Sequence, residues 1–165
     1  MKKLFFIFPI ILFPVLATAK DFGYSHTEWG MNPNQVVVAE GDRAHIVEPM
    51  KYKKGIGKVQ IDSVIIAAST YTVTFIFDDS DHLIQTNVIS DEKKNVGTIN
   101  MQFDQLSRLL SQKYGEPQFK GNNAITWKTS STTIELTRSI IANLYAQVSV
   151  RYIPNSTIEK DTSNL

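Results

Sequence analysis

The chain has 165 residues, 17 basic against 16 acidic for a formal charge of +1, and no cysteine. That length holds one ordinary domain, and near-neutrality speaks against nucleic-acid binding, which needs a net basic face. The lack of cysteine excludes disulfide staples, a thiolate metal site, a cysteine nucleophile and a lipid attached at a cysteine.

Met1-Lys2-Lys3 is a short positive start, Leu4 to Leu16 is apolar apart from Pro9 and Pro14, and Ala17-Thr18-Ala19 has small residues at both flanks. This is the layout of a secretory signal peptide, 1–19, with cleavage expected after Ala19. The apolar run, Leu4 to Ala17, is 14 residues, short of the roughly 20 that span a bilayer. An exported protein with no stable membrane insertion after cleavage is therefore expected, periplasmic or secreted. Loss of Lys2 and Lys3 leaves 15 basic residues against 16 acidic ones, a charge of −1.

A single domain is expected over 20–153. Lys20 to Trp29 reads as a short strand or extended lead-in. Asn32-Pro33-Asn34-Gln35 then combines a cap, a proline at the first helical position and a glutamine placed to return a bond to the cap. A helix from Pro33 to about Glu40 follows, stopped by Gly41. Asp42 to Gly57 reads as a long connection, with one short strand around Ala44 to Val47.

Lys58 to Ala68 is read as a central strand, with Val59, Ile61 and Ile65 on one face and Val64 and Ile66 on the other. Tyr71, Val73, Phe75 and Phe77 alternate with threonines, and Asp78-Asp79-Ser80-Asp81 turns the chain back into a strand from His82 to Ile89. Asp91 to Gly97 is a charged loop. Ile99, Phe103, Leu106, Leu110 and Tyr114 lie along one helix face, with Gln102, Gln105, Arg108 and Gln112 pointing away, and Gly115 and Pro117 end the helix.

Three strands are expected after it: Ala124 to Lys128, Thr132 to Arg138, and Leu144 to Ile153. The segment 154–165 is polar and aperiodic and reads as a disordered tail. The expected fold is α+β, a mostly antiparallel sheet with two helices on one face, arranged as two αβββ halves, Pro33 to Ile89 and Gln102 to Ile153.

Catalytic and metal patterns are incomplete throughout the chain. His26-Thr27-Glu28 pairs imidazole with carboxylate but has no second histidine four residues on, and His26, His45 and His82 are far apart. Asp78, Asp79 and Asp81 resemble the start of a calcium loop, but its sixth and twelfth positions hold Leu83 and Ile89. Gly55-Ile56-Gly57 lacks the third glycine of a dinucleotide fingerprint, and the acid pair Glu40 and Asp42 flanks a helix stop. No catalytic, metal or cofactor-binding residue is assigned, and no cofactor is expected. The aromatics Phe22, Tyr24, Trp29 and Trp127 suit either a core or a partner contact.

Trp29-Gly30-Met31-Asn32-Pro33-Asn34-Gln35-Val36 with Glu40, then Phe75-Ile76-Phe77-Asp78 to Leu83, Leu106 to Tyr114-Gly115-Glu116-Pro117 and Ile125-Thr126-Trp127, resembles a family of exported bacterial domains opening on tryptophan-glycine-methionine. More distantly the order is similar to the outer-membrane assembly lipoproteins of the SmpA/BamE type and to tandem-repeat β-lactamase inhibitor proteins. The first carries a lipidated cysteine and the second disulfides, both missing here. Those families bind proteins, so the resemblance implies an exported non-enzymatic domain whose partner is a protein or envelope component. A small periplasmic hydrolase or ligand-binding enzyme is the alternative.

Overall fold

The computed structural model describes residues 22–162, so the expected leader lies outside the described residues. The first helix, α1 (Pro33–Glu40), starts as its sequence dictates: Gln35 N–H donates to Asn32 Oδ1 at 3.0 Å, and Asn32 N–H donates to Gln35 Oε1 at 2.9 Å. Gly41 ends it at φ 65°, a left-handed conformation that glycine adopts without a Cβ penalty.

Four strands follow in a meander: β1 (His45–Tyr52), β2 (Gly55–Ile66), β3 (Ser69–Phe77) and β4 (Leu83–Ser90). Then come α2 (Val96–Tyr114) and a second meander, β5 (Phe119–Lys120), β6 (Ala124–Lys128), β7 (Thr132–Ile141) and β8 (Tyr145–Pro154), with α3 (Asn155–Thr162) last. All eight strands form one antiparallel sheet in the order β1-β2-β3-β4-β8-β7-β6-β5. Each half is therefore a helix followed by four strands rather than three, and the halves meet where β4 pairs with β8.

One apolar cluster unites both halves. It takes Val36 from α1, Ile99, Phe103, Leu106 and Leu110 from α2, and the inward residues of β2 to β4 and β6 to β8. Both helices thus cover the same face of the sheet. Across that face Ile61, Val73, Val88, Val150, Leu136 and Ile125 stand in register on six successive strands, all buried.

Four local expectations are corrected. β1 is a full strand inside the supposed connection. It is an edge strand with mostly exposed side chains, so no apolar alternation marks it, and Pro49 is tolerated at an edge beside the register shift between Ile46 and Met50. In β2, Asp62 and Ser63 together oppose Thr72 of β3, a bulge with Ser63 at φ 53°. The extra residue swaps the faces beyond it: Val64 and Ile66 pack on the core, and Ile65 is 75% exposed.

Gln102, expected outside, is buried in α2. Finally, the segment read as a tail is ordered at its start. Asn155 N–H donates to the Ser131 carbonyl at 2.9 Å, its Nδ2 donates to the Thr129 carbonyl at 3.0 Å, and its Oδ1 accepts from Thr133 Oγ1 at 2.8 Å. Three bonds from one buried side chain and backbone fix the start of α3, with no apolar periodicity needed.

Candidate binding face and its hairpin pocket

The face turned away from α1 and α2 is as regular as the core face, one residue out of step. His45, Gln60, Thr74, Asn87, Arg151, Glu135, Thr126 and Phe119 stand side by side, one on each of the eight strands. At the ordinary strand spacing this row spans about 33 Å. Neighbours within it are joined: Gln60 Nε2 donates to Thr74 Oγ1 at 3.1 Å, and Arg151 forms an ion pair with Glu135. A parallel bond links Thr137 and Ser149 at 2.8 Å.

The β1–β2 hairpin bends over this face. Lys53 and Lys54 make its two-residue turn between the paired Tyr52 and Gly55. A Cβ on Gly57 would lie 2.8 Å from the Tyr52 ring, and one on Gly55 would lie 2.4 Å from the Phe77 carbonyl oxygen. The two glycines, spaced by two and so on one strand face, leave the sheet bare where the hairpin approaches. Beneath the hairpin is a pocket of about 400 Å³ lined by Tyr52, Lys53, Lys54, Ile76, Gln85, Asn87 and Arg151. Ile76 and Asn87 are buried there although they face away from the core.

A second concavity, about 610 Å³, lies on the other side of the hairpin and reaches Asp78 and Asp79. Burial works against the Asp78 carboxylate, but N–H groups of His82 and Ser80, both 2.9 Å from Oδ1, and the nearby His82 ring outweigh it. Its carboxyl is held below its ordinary value. Asp78 therefore closes its own turn, and Asp81 pairs with Lys58 of β2. The aspartate cluster is turn chemistry.

The other sequence candidates are dispersed. His26 lies 3.8 Å from Glu40, His45 is 3.5 Å from Asp62, and His82 is 3.4 Å from Asp78, at three separate places. Glu40 is buried against Arg43 and accepts from the His26 N–H at 3.1 Å; Asp42 sits in the 3₁₀ turn Gly41–Arg43 that follows α1. Glu28 pairs through its backbone with Phe22 in an isolated bridge. Among the described residues no three His, Cys, Asp or Glu side chains gather to hold one metal ion.

The aromatics divide the same way. Trp127 is buried with its indole N–H on the Gly115 carbonyl at 3.1 Å, and Trp29 donates to Thr132 Oγ1 at 2.9 Å. Tyr24 meets Phe75 and Tyr152 edge-on, and burial raises its phenol pKa. Only Phe22 of this group is largely exposed. The sequence missed Tyr52, Gln85, Asn87 and Arg151, and its one available signal was the Gly55-x-Gly57 spacing. That spacing marks a strand face kept clear for a close neighbour as well as a fragment of a nucleotide loop.

A two-faced antiparallel sheet, apolar under two helices and polar beneath a basic hairpin, defines an α+β domain with an open face. The chain belongs to the TP0088 domain family, whose model matches residues 34–164. Neither a curated protein nor a solved structure matches it. The family match runs through α3, so this helix falls within the matched span. Among the described residues no helix is long and apolar enough to cross a membrane.

Proposed function

We propose that the protein is an exported, non-enzymatic binding domain that engages a protein or envelope component on the open face of its sheet. The observation that carries this is the row from His45 to Phe119 on the side that α1 and α2 leave uncovered, in which seven of the eight side chains are polar and all but Thr74 and Asn87 reach the surface. Three features support it. Tyr24 and Trp29 of the lead-in pack against the core, which leaves the sheet face as the broad surface for a partner. The three histidines stand apart, each beside its own carboxylate, and a hydrolase needs such groups convergent. The resemblance to assembly lipoproteins and inhibitor proteins, which bind proteins, points the same way.

The test is retention of a partner from envelope extract by the immobilised protein. Thr126→Lys combined with Thr137→Lys, both on the open face, should abolish retention. Met101→Lys on the exposed side of α2 should leave it intact. Equal retention by all three proteins, or none by the wild type, overturns the reading. Export has its own measurement: protein recovered from the envelope should begin at Lys20, and a chain still starting at Met1 refutes it.

A further inference from the structure

We propose that the pocket beneath the β1–β2 hairpin binds an acidic sugar, holding its anionic group between Lys53 and Arg151 and its hydroxyls on the Gln85–Asn87 amide pair. This rests on the reading of the open face as a binding surface and names the ligand class at its most enclosed point. Charge, hydrogen-bonding groups and shape all fit that class.

The first is charge. Lys53, Lys54 and Arg151 all line the pocket, and no carboxylate does. Arg151 gives its Nη2 to Glu135 on the neighbouring strand, and a guanidinium carries five donors in all. An anion is the complement of that lining, and a charged acceptor makes the stronger hydrogen bonds.

The second is the amide pair. Gln85 Nε2 donates to Asn87 Oδ1 at 2.7 Å, and this bond uses neither the Asn87 amino group, a donor, nor the Gln85 carbonyl, an acceptor. A bare anion needs donors alone. A sugar hydroxyl both donates and accepts, so it satisfies this pair as water does. Asn87 is buried, and its position is fixed by the strands on both sides of β4.

The third is shape. The Tyr52 ring and the Ile76 side chain give the pocket an aromatic wall and an apolar floor, suited to the C–H face of a pyranose. The volume of about 400 Å³ falls in the range of small-molecule pockets, roughly 300–1,000 Å³. The acid can be a carboxylate or a phosphate ester; both supply the same anionic oxygens.

The experiment is an NMR titration of the purified protein, observing the side-chain amides of Gln85 and Asn87 with glucuronate, glucose 6-phosphate, glucose and inorganic phosphate as separate ligands. One or both acidic sugars should shift these amides saturably, and which one does so identifies the anion. Glucose and inorganic phosphate should each bind at least tenfold more weakly. Lys53→Gln and Arg151→Gln, both exposed positions, should each weaken the acidic sugar about tenfold with unchanged thermal midpoints. Should either variant unfold, Lys53→Ala and Tyr52→Leu replace it.

No shift with either acidic sugar overturns the proposal. So does inorganic phosphate binding as tightly as the sugars, which removes the role of the amides, or glucose doing so, which removes the role of charge. A failed titration with partner retention preserved sinks the ligand class alone. A successful titration with no retained partner sinks the macromolecular reading alone.

Discussion

At the scale of single residues, stability in this fold is set by where polar atoms end up relative to the apolar cluster. Thr86 on β4 is fully buried, opposite Phe75 and Tyr152, and its hydroxyl has no hydrogen-bond partner. An unpaired buried hydroxyl carries its desolvation cost without return. Thr86→Val keeps the branched shape and removes that group, so the urea midpoint should rise by about 1 kcal/mol of stability. A fall in midpoint would show that the hydroxyl is bonded.

Tyr71 makes the opposite kind of statement, one about pH. Burial pushes its phenol up to about 12, above the ordinary tyrosine value of 10.0, with a bond from Ser69 acting the other way. Tyr152 is raised too, by burial and by its neighbours Tyr114 and Tyr24. Above pH 10 the unfolded chain releases phenolic protons that the folded chain retains, so unfolding gains driving force. Stability from these groups is complete below pH 10 and is lost as pH rises towards 12. Denaturant titrations at pH 8 and pH 11 should show this loss, and Tyr71→Phe should lose less than the wild type. Equal losses would remove Tyr71 from the account.

At the scale of elements, what could be read in the sequence was whatever the core had imprinted on it. The stripe of α2, the alternation of Tyr71 to Phe77 and that of Ala146 to Tyr152 are consequences of burial on one face, and the capping box of α1 is a local bond between residues three apart. β1 buries almost nothing and left no pattern. α3 starts from the bonds of one asparagine, and the bulge at Asp62 and Ser63 depends on a pairing partner outside its own segment. The polar row was illegible for the same reason, since register across eight strands is a tertiary fact.

The β2–β3 turn is the clearest case. Ile66 pairs with Ser69, so Ala67 and Ala68 form a two-residue turn, at φ 49° and 64°. Hairpins of this kind need left-handed residues, and Asn-Gly is their usual signature. Alanine there disguises the turn and strains it, because its Cβ disfavours positive φ. Replacing Ala67→Asn and Ala68→Gly together should stabilise the protein by about 1–2 kcal/mol. The increase in thermal midpoint should leave the rest of the amide spectrum unchanged. No gain would mean that the turn relaxes away from the left-handed region.

At the scale of the whole molecule, two meanders share one sheet through a short seam. The β4–β8 pairing involves only Thr86 to Ile89 against Tyr152 to Ser149. The segment before α1 supplies further ties across it. Gly30 N–H donates to the Leu83 carbonyl at 3.1 Å and Leu83 N–H to the Met31 carbonyl at 2.9 Å, which fixes this segment to the first half. Its other end reaches the second half: Thr132 Oγ1 donates to the Phe22 carbonyl at 2.6 Å and accepts from Trp29. Between them the Tyr24 ring touches Phe75 of β3 and Tyr152 of β8.

The tryptophan-glycine-methionine opening and the returning strand at Leu83, far apart in the sequence, are thus hydrogen-bonded neighbours. If this staple couples the halves, weakening it must destabilise both together. Tyr24→Ala removes a half-buried ring and should cost roughly 2 kcal/mol. Hydrogen-exchange protection should then fall by about 30-fold in β3 and in β7 alike. A loss confined to one half would show that the halves open independently, and that the shared apolar face, not the lead-in, holds the sheet together.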